Sequence, residues 1–547
     1  MKLINQHTKK IMEGCKARAK EFGLNFSKDT LEYYVTNVDL IELSPKHMIP
    51  TLYDYWLQDI QVLHGKGEYE IYPSNPYETV INTRPVISFY NDTNPDWLNV
   101  MIFYHVIGHI DFFQNNKFFE KTWDYDFKQK ALTEKRIIAK LRAQKGRVVD
   151  YVIEFAKSID NLVSYFRHLA EDENVRNILS LQDKADYYFN HFLQSEKKIG
   201  LREYLQEIEL YNKWEEKEGK SKVESFFDKV TLKNPEFEEL FHNRKIEKDI
   251  ARPDLMQFIM NESKFINKEQ NVWMKTIFEI IRDTSLYFSP MMRTKIMNEG
   301  WASYWHEKLF LSDDRIKGHE VAFARINAKV TALSRVGLNP YAIGWRLFMH
   351  VEEMANQGKY TYDYQKLNNA NERKLFDSDT KSGNDFIFHV RANYCDSTFV
   401  NRFVDQEFVD KHKLMVVGQR INMQKGVKEY YVKSRKAEDY KQMMFESLYH
   451  PPHVAFHQRE NGTLYINHEF EGKELYRDYV KNTLIGIEYL WGDTVKLETT
   501  ELDYDEMKRQ YAQLDKGKAP QDIKIKPAFN RVLYTVKDKK VTRQKFG

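Results

Sequence analysis

Cysteine is nearly absent from this chain: Cys15 and Cys395 are the only two in 547 residues. Two thiols can build neither a disulfide framework nor a four-cysteine zinc site. Charge of one sign is also missing. Lys and Arg number 83 and Asp and Glu 80, a balance of +3. The clear basic excess of a dedicated nucleic-acid binder is therefore not there. Nowhere do about 18 apolar residues run together, which excludes an evident transmembrane helix. Residues 1–24, MKLINQHTKKIMEGCKARAKEFGL, are broken by charge every few positions. They lack the apolar stretch and small-residue cleavage site of a secretory leader, so the chain reads as cytoplasmic. No GxxxxGK[ST] phosphate loop, no GxGxxG after a strand and no GxSxG elbow occurs. ATP-, NAD- and serine-hydrolase chemistries thus have no support.

What is present is a globular composition, 42% hydrophobic and 30% charged, with 14% aromatic residues. An apolar fraction of that size is too high for a disordered chain. Length alone allows two to four domains, or one large and one small. Residues 1–35 read as an amphipathic helix, with Ile4, Ile11, Met12 and Cys15 at helical spacing. Residues 44–99 hold six of the 14 prolines, so no long helix crosses them. Short strands are predicted at 79–81 and 86–90, in a segment suited to wall a cleft. Helices are predicted over 97–120, 128–192, 255–310 and 319–357. The densely charged 193–250 reads as a solvated helical hairpin. Residues 360–384 are turn-rich, a linker. Beyond them come short apolar runs at 414–417, 429–432, 453–457, 463–466, 495–498 and 532–536, with a helix at 476–489. Asn461-Gly462 is a hairpin turn signal. The fold class is α+β. A large, mainly helical, zincin-like N-terminal domain covers 1–370, and a smaller mixed α+β domain covers 385–547.

The chemistry-bearing pattern is His105-Val106-Ile107-Gly108-His109. Residues four apart share one helix face, so the imidazoles converge as they do in helical zinc sites. The glutamate of HExxH is replaced by Val106. A second segment, MNEGWASYWH, offers Glu299 as a third ligand, with His306 two turns on. The metal set is then His105, His109 and Glu299, with Glu154 as a further oxygen. Asp111 and His306 are the candidates for the catalytic proton chemistry. Asp111, beside a ligand histidine, also suits the part of orienting it. His168, Glu171 and Glu173 read as surface charge. His453, His457 and His468 fall in predicted strands.

The blocks HVIGHIDFFQNN, TSLYFSPMMRTKIMNEGWASYWHEKL and LNPYAIGWRLF resemble the stage V sporulation protein R (SpoVR) family. The likeness extends to YETVINTRPVISFYNDTN and to GTLYINHEFEGKEL. The resemblance implies a cytoplasmic protein linked to spore cortex or envelope processes, with a functional tie to a PrkA-type serine kinase. It implies no reaction. Three readings stay open. One is a zinc-dependent hydrolase of peptide or amide bonds. The second is a non-catalytic regulator on a zincin-like fold that binds a protein or peptide partner. The third is a metal-free scaffold.

Overall fold

The computed structural model describes residues 2–36, 78–163, 184–241, 254–449, 451–513 and 528–545, apart from short gaps within them. Contacts divide the chain into two units, residues 1–161 with 264–547, and residues 162–263. The architecture is mixed α+β. Among the described residues no helix is long and apolar enough to cross a membrane.

The larger unit opens with β1 (Lys2–Leu3), α1 (Gln6–Glu21) and β2 (Thr30–Val35). The single helix predicted over 1–35 is thus corrected. Asn5 caps α1 by accepting from the Thr8 N–H at 2.8 Å. The helix stops at Glu21 because Gly23 takes φ +97, a conformation that a helix cannot continue. The β-branched and aromatic run TLEYYV then pairs as a strand. It lies parallel to β4 (Val86–Asn91), which is antiparallel to β3 (Glu78–Ile81). Both short strands fall where the sequence predicts them. Most of the proline-rich stretch, residues 37–77, lies outside the described residues, as do His168, Glu171 and Glu173.

Next comes α2 (Asp96–Asn115), entered from Pro95. Every residue from Leu98 to Phe113 is buried. A helix apolar all round must lie inside a core, and here it carries two histidines and an aspartate in with it. The predicted helix over 128–192 is broken by Gly146, at φ +68, into α3 (Phe127–Lys145) and α4 (Val148–Lys157).

The smaller unit holds α5 (Leu201–Glu218), α6 (Glu224–Lys233) and α7 (Leu255–Glu262). The hairpin predicted here as wholly solvated has a core of its own. Tyr188, Phe192, Phe226, Phe227 and Phe237 are buried together, and Tyr211 meets Phe226 edge-to-face at 5.1 Å. The many charges conceal a sparse aromatic set that does the packing.

Back in the larger unit, α8 (Trp273–Arg293) leads into α9 (Lys295–Leu311), α10 (Glu320–Val330) and α11 (Pro340–Asn356). Asn339 caps α11 by accepting from Tyr341 and Ala342. α9 packs on α2 at one side and on α11 at the other. The second contact is made by backbone: a methyl group on Gly300 would strike the main chain of Gly344, and one on Gly344 would strike the Ile296 carbonyl. Gly108 approaches α9 similarly, its would-be Cβ lying 2.8 Å from Ala302 Cα. α12 (Gly383–Asn393) and α13 (Asp396–Phe403) complete this helical layer.

Beyond it, β5 (Val416–Asn422) and β6 (Val427–Ser434) form an antiparallel ribbon. A five-stranded sheet follows in the order β11-β10-β9-β8-β7. Its strands are β7 (His453–Gln458), β8 (Leu464–Glu469), β9 (Val495–Leu502), β10 (Phe529–Lys537) and β11 (Lys540–Lys545). Gly462 takes φ +83 between β7 and β8, as the Asn-Gly turn requires. The parallel pair of this sheet, β8 with β9, is joined by the crossover helix α14 (Arg477–Trp491), because parallel strands cannot be linked by a tight turn.

The exit of α9 is held by Asp313. Its carboxylate accepts from the Tyr104 hydroxyl at 2.6 Å and from Arg315 Nε at 2.9 Å. Burial would raise its pKa, but the bonds from Arg315 and Tyr104 prevail and hold it at about 2. A carboxyl depressed in the folded state stabilises fully above its unfolded value near 4, and that stability is lost as pH falls towards 2. Asp313→Asn should therefore cost about 2 kcal/mol at pH 7, with the gap to the parent protein closing towards pH 2. Urea titrations across that range would show it, and a pH-independent gap would refute the account. Gly344→Ala should cost about 2 kcal/mol by overpacking, against a helix-propensity gain of about 1 kcal/mol. An unchanged or raised denaturation midpoint would contradict the backbone contact.

Candidate metal centre

His105 and His109 stand one turn apart on α2, and their Nε2 atoms lie 3.1 Å from each other. Glu299 comes from the second turn of α9, with Oε2 3.5 Å from His109 Nε2. One ligand atom from each of the three falls within 4.8 Å of the others. The start of α9 is fixed by Asp396, which accepts from the Ile296 and Met297 N–H groups at 2.9 Å each. Burial lifts the Asp396 carboxyl to about 7, against the pull of those N–H groups.

A hydrogen-bonded chain runs through the histidines and sets their tautomers. His306 Nε2 is 2.9 Å from the Asn327 amide oxygen. An amide oxygen only accepts, so His306 Nε2 carries the proton and His306 Nδ1 carries a lone pair. That lone pair faces His105 Nδ1 at 2.9 Å, so His105 is protonated on Nδ1. At the other end, His109 Nδ1 donates to the Asn298 amide oxygen at 2.9 Å. With His105 protonated on Nδ1 and His109 donating from Nδ1, the two Nε2 atoms face one another at 3.1 Å. Glu299 Oε2 is buried beside them without a hydrogen-bond partner.

The electrostatics keep His105 and His306 neutral. Burial, then the neighbouring His109 and His306, push His105 well below its ordinary value, although a hydrogen bond to the Ala302 backbone works the other way. Burial takes His306 down to about 4 despite its Asn327 bond. Neutral imidazole is the form that ligates metals. Aromatic rings hold the planes: Tyr341 stacks on His105 at 6.0 Å and Phe113 on His109 at 6.1 Å. The 3.1 Å and 3.5 Å separations are of the size expected between ligands placed about 2.0–2.2 Å from one cation. The residues fit a divalent ion of the zinc class.

The structure brings together His105, His109 and Glu299, with His306 behind His105. It does not bring Asp111 there. Two residues on from His109, Asp111 projects from another side of α2. Its Oδ1 accepts from the Asn25 N–H at 2.7 Å and its Oδ2 from Trp301 Nε1 at 2.8 Å, with Arg391 Nε 3.3 Å away. Burial raises this carboxyl to about 6, opposed by Arg391, Asn25 and Trp301. Asp111 therefore ties α2, α9 and α12 together. Glu154 is exposed on α4 and is not among the converging donors. His453 and His457 are exposed on the edge strand β7, and His468 Nδ1 pairs with Thr499 at 2.8 Å. Sequence reasoning missed Asn298 and Asn327. Asn298 was within reach, being next to Glu299, whereas nothing in sequence links Asn327 to His306 across 21 positions.

A family model described as SpoVR like protein matches residues 2–450. The chain belongs to the SpoVR family. The uncharacterized protein YcgB of Escherichia coli (strain K12) is a curated relative, 23% identical over 449 residues, covering 77% of this chain and 78% of the relative. No solved structure matches. The SpoVR match takes in every residue of the centre and ends just before β7, so the five-stranded sheet lies beyond it.

Trp301→Phe keeps an aromatic ring but a smaller one, and removes the one N–H given to Asp111 Oδ2. It should cost roughly 1.5–3 kcal/mol, the range for a buried bond to a charged group. Equilibrium unfolding would measure it, and a loss below about 0.5 kcal/mol would mean the indole bond contributes little.

Proposed function

We propose that this SpoVR-family chain is a zincin-like metal-dependent hydrolase acting on peptide or amide bonds. The observation that carries the reading is the convergence of one ligand atom each from His105, His109 and Glu299 within 4.8 Å of one another, the Glu299 oxygen having no hydrogen-bond partner. Two histidines and one glutamate form a donor set of catalytic zinc sites, which leave a fourth place for substrate or water. A zinc-class ion bound there would supply Lewis acidity toward a carbonyl oxygen. The chain's own groups do the rest. His105 and His109 present Nε2, and Glu299 adds the negative charge. His306, with Asn327 behind it, and Asn298 hold the ring protons on the far nitrogens, the usual part of groups that orient metal-ligating histidines. The apolar walls of α2 and α9 keep bulk water out and strengthen each charge interaction inside.

One observation favours a second reading. Asp111 is committed to Asn25, Trp301 and Arg391. Among the described residues, Glu299 is then the one carboxylate beside the histidines. A chain with no separate base would hold a metal and bind a protein or peptide partner without turnover.

Elemental mass spectrometry of the purified full chain should find near one zinc per chain. His105→Ala, His109→Ala and Glu299→Gln should each lose it. His306→Gln should bind roughly 10- to 100-fold more weakly, the cost typical of removing an orienting partner. Full metal content in the first three variants would end the metal reading. Metal retained by the parent, with no cleavage across a panel of amide and peptide substrates, would favour the second.

A further inference from the structure

Ser303 is fully buried and its hydroxyl has no hydrogen-bond partner. A buried hydroxyl left unpaired costs free energy, and native proteins rarely tolerate one without a use. Its place on α9 gives it one. Ser303 stands four residues after Glu299 and three before His306, so the three lie on one stripe of the helix. Both ends of that stripe reach the α2 histidines, Glu299 through His109 and His306 through His105. Gly300, on the adjoining side of α9, meets Gly344 of α11. Ser303 therefore lies on α9 between the residues that meet α2 and the glycine that meets α11, whose Tyr341 stacks on His105. Glu299 Oε2 and Ser303 Oγ, one turn apart, are both unpartnered, so neither answers the other.

We propose that Ser303 is a substrate-contacting residue of the metal centre: its hydroxyl stands beside the open fourth place and donates a hydrogen bond to an oxygen bound there. This rests on reading His105, His109 and Glu299 as metal ligands. It adds a neutral donor to a site whose other polar groups all present lone pairs. The chemical class it selects is a ligand with a carbonyl-type oxygen, such as an amide or a hydroxamate. A hydroxyl gives such an oxygen a proton to lean on without introducing a second charge into an apolar core.

The test uses the full chain, stripped with chelator and reloaded with cobalt(II), with acetohydroxamate as the probe for the open place. Ser303→Cys puts a thiol where the hydroxyl was. It should give a sulfur-to-cobalt charge-transfer band in the near ultraviolet that the parent protein lacks, because a side chain facing the ion comes within ligand reach. Ser303→Ala should keep one cobalt per chain with unchanged affinity, and should bind acetohydroxamate roughly three- to tenfold more weakly, the value of one neutral hydrogen bond. Both results are required, and the absence of either overturns the role of Ser303 while leaving the metal centre standing. If Ser303→Cys does not fold, the acetohydroxamate result for Ser303→Ala decides alone. A parent protein that binds no cobalt overturns the metal reading and this one with it.

Discussion

An imidazole buried in an apolar helix bundle must have both nitrogens answered, and the centre of this molecule is organised by that demand. α2 is buried all round, so His105 and His109 cannot turn to solvent for partners. Each finds one on α9 or through it: Asn298 for His109, and His306, backed by Asn327, for His105. Those partners settle one nitrogen per ring and fix the proton there. The remaining nitrogens are left facing each other and Glu299. The same bonds that make the core tolerable thus gather two imidazole nitrogens and a carboxylate oxygen at one point.

The framework around the cluster follows the same economy of space. Glycines at 108, 300 and 344 let three helices approach at backbone distance, which brings short side chains into range of one another. Asp396 fixes the start of α9, and Asp111 ties it to α2 and to Arg391 of α12. Two buried carboxylates, each with several donors, hold the helices in register. Such groups are tolerated in an interior when their hydrogen bonds are complete. Arg391 and Asp396 lie after the turn-rich stretch at 360–384, so this later part of the chain contributes directly to the support of the centre.

Much of this was legible in the residues. The i, i+4 spacing of His105 and His109 and the NEGW block with Glu299 were enough to name the three converging donors. The strands after 410 followed from alternation and from the Asn-Gly turn. What escaped had physical causes. The short strand at 30–35 hid behind an amphipathic helix, because aromatic and β-branched residues at its end fit either period until Gly23 breaks the first. The aromatic core of the smaller unit was masked by dense surrounding charge. Asp111 was drawn to the histidines by proximity in sequence, yet two residues along a helix turn a side chain away. Asn327 and Arg391 are joined to their partners by folding alone, and no local pattern marks them.

The separation between these partners has a consequence for how the chain is made. His105 meets His306 across 201 positions, and Asp111 meets Trp301 across 190. α2 packs on α1, β3 and β4, which precede it, but α9, which covers another side, is synthesised long after α2 leaves the ribosome. At roughly 5–20 residues per second, that interval is on the order of 10–40 s. Throughout it, the apolar side of α2 that faces α9 lacks its native partner. The pairing of α2 with α9 is thus a late event in the making of the chain, whatever the order in which the rest of the fold forms.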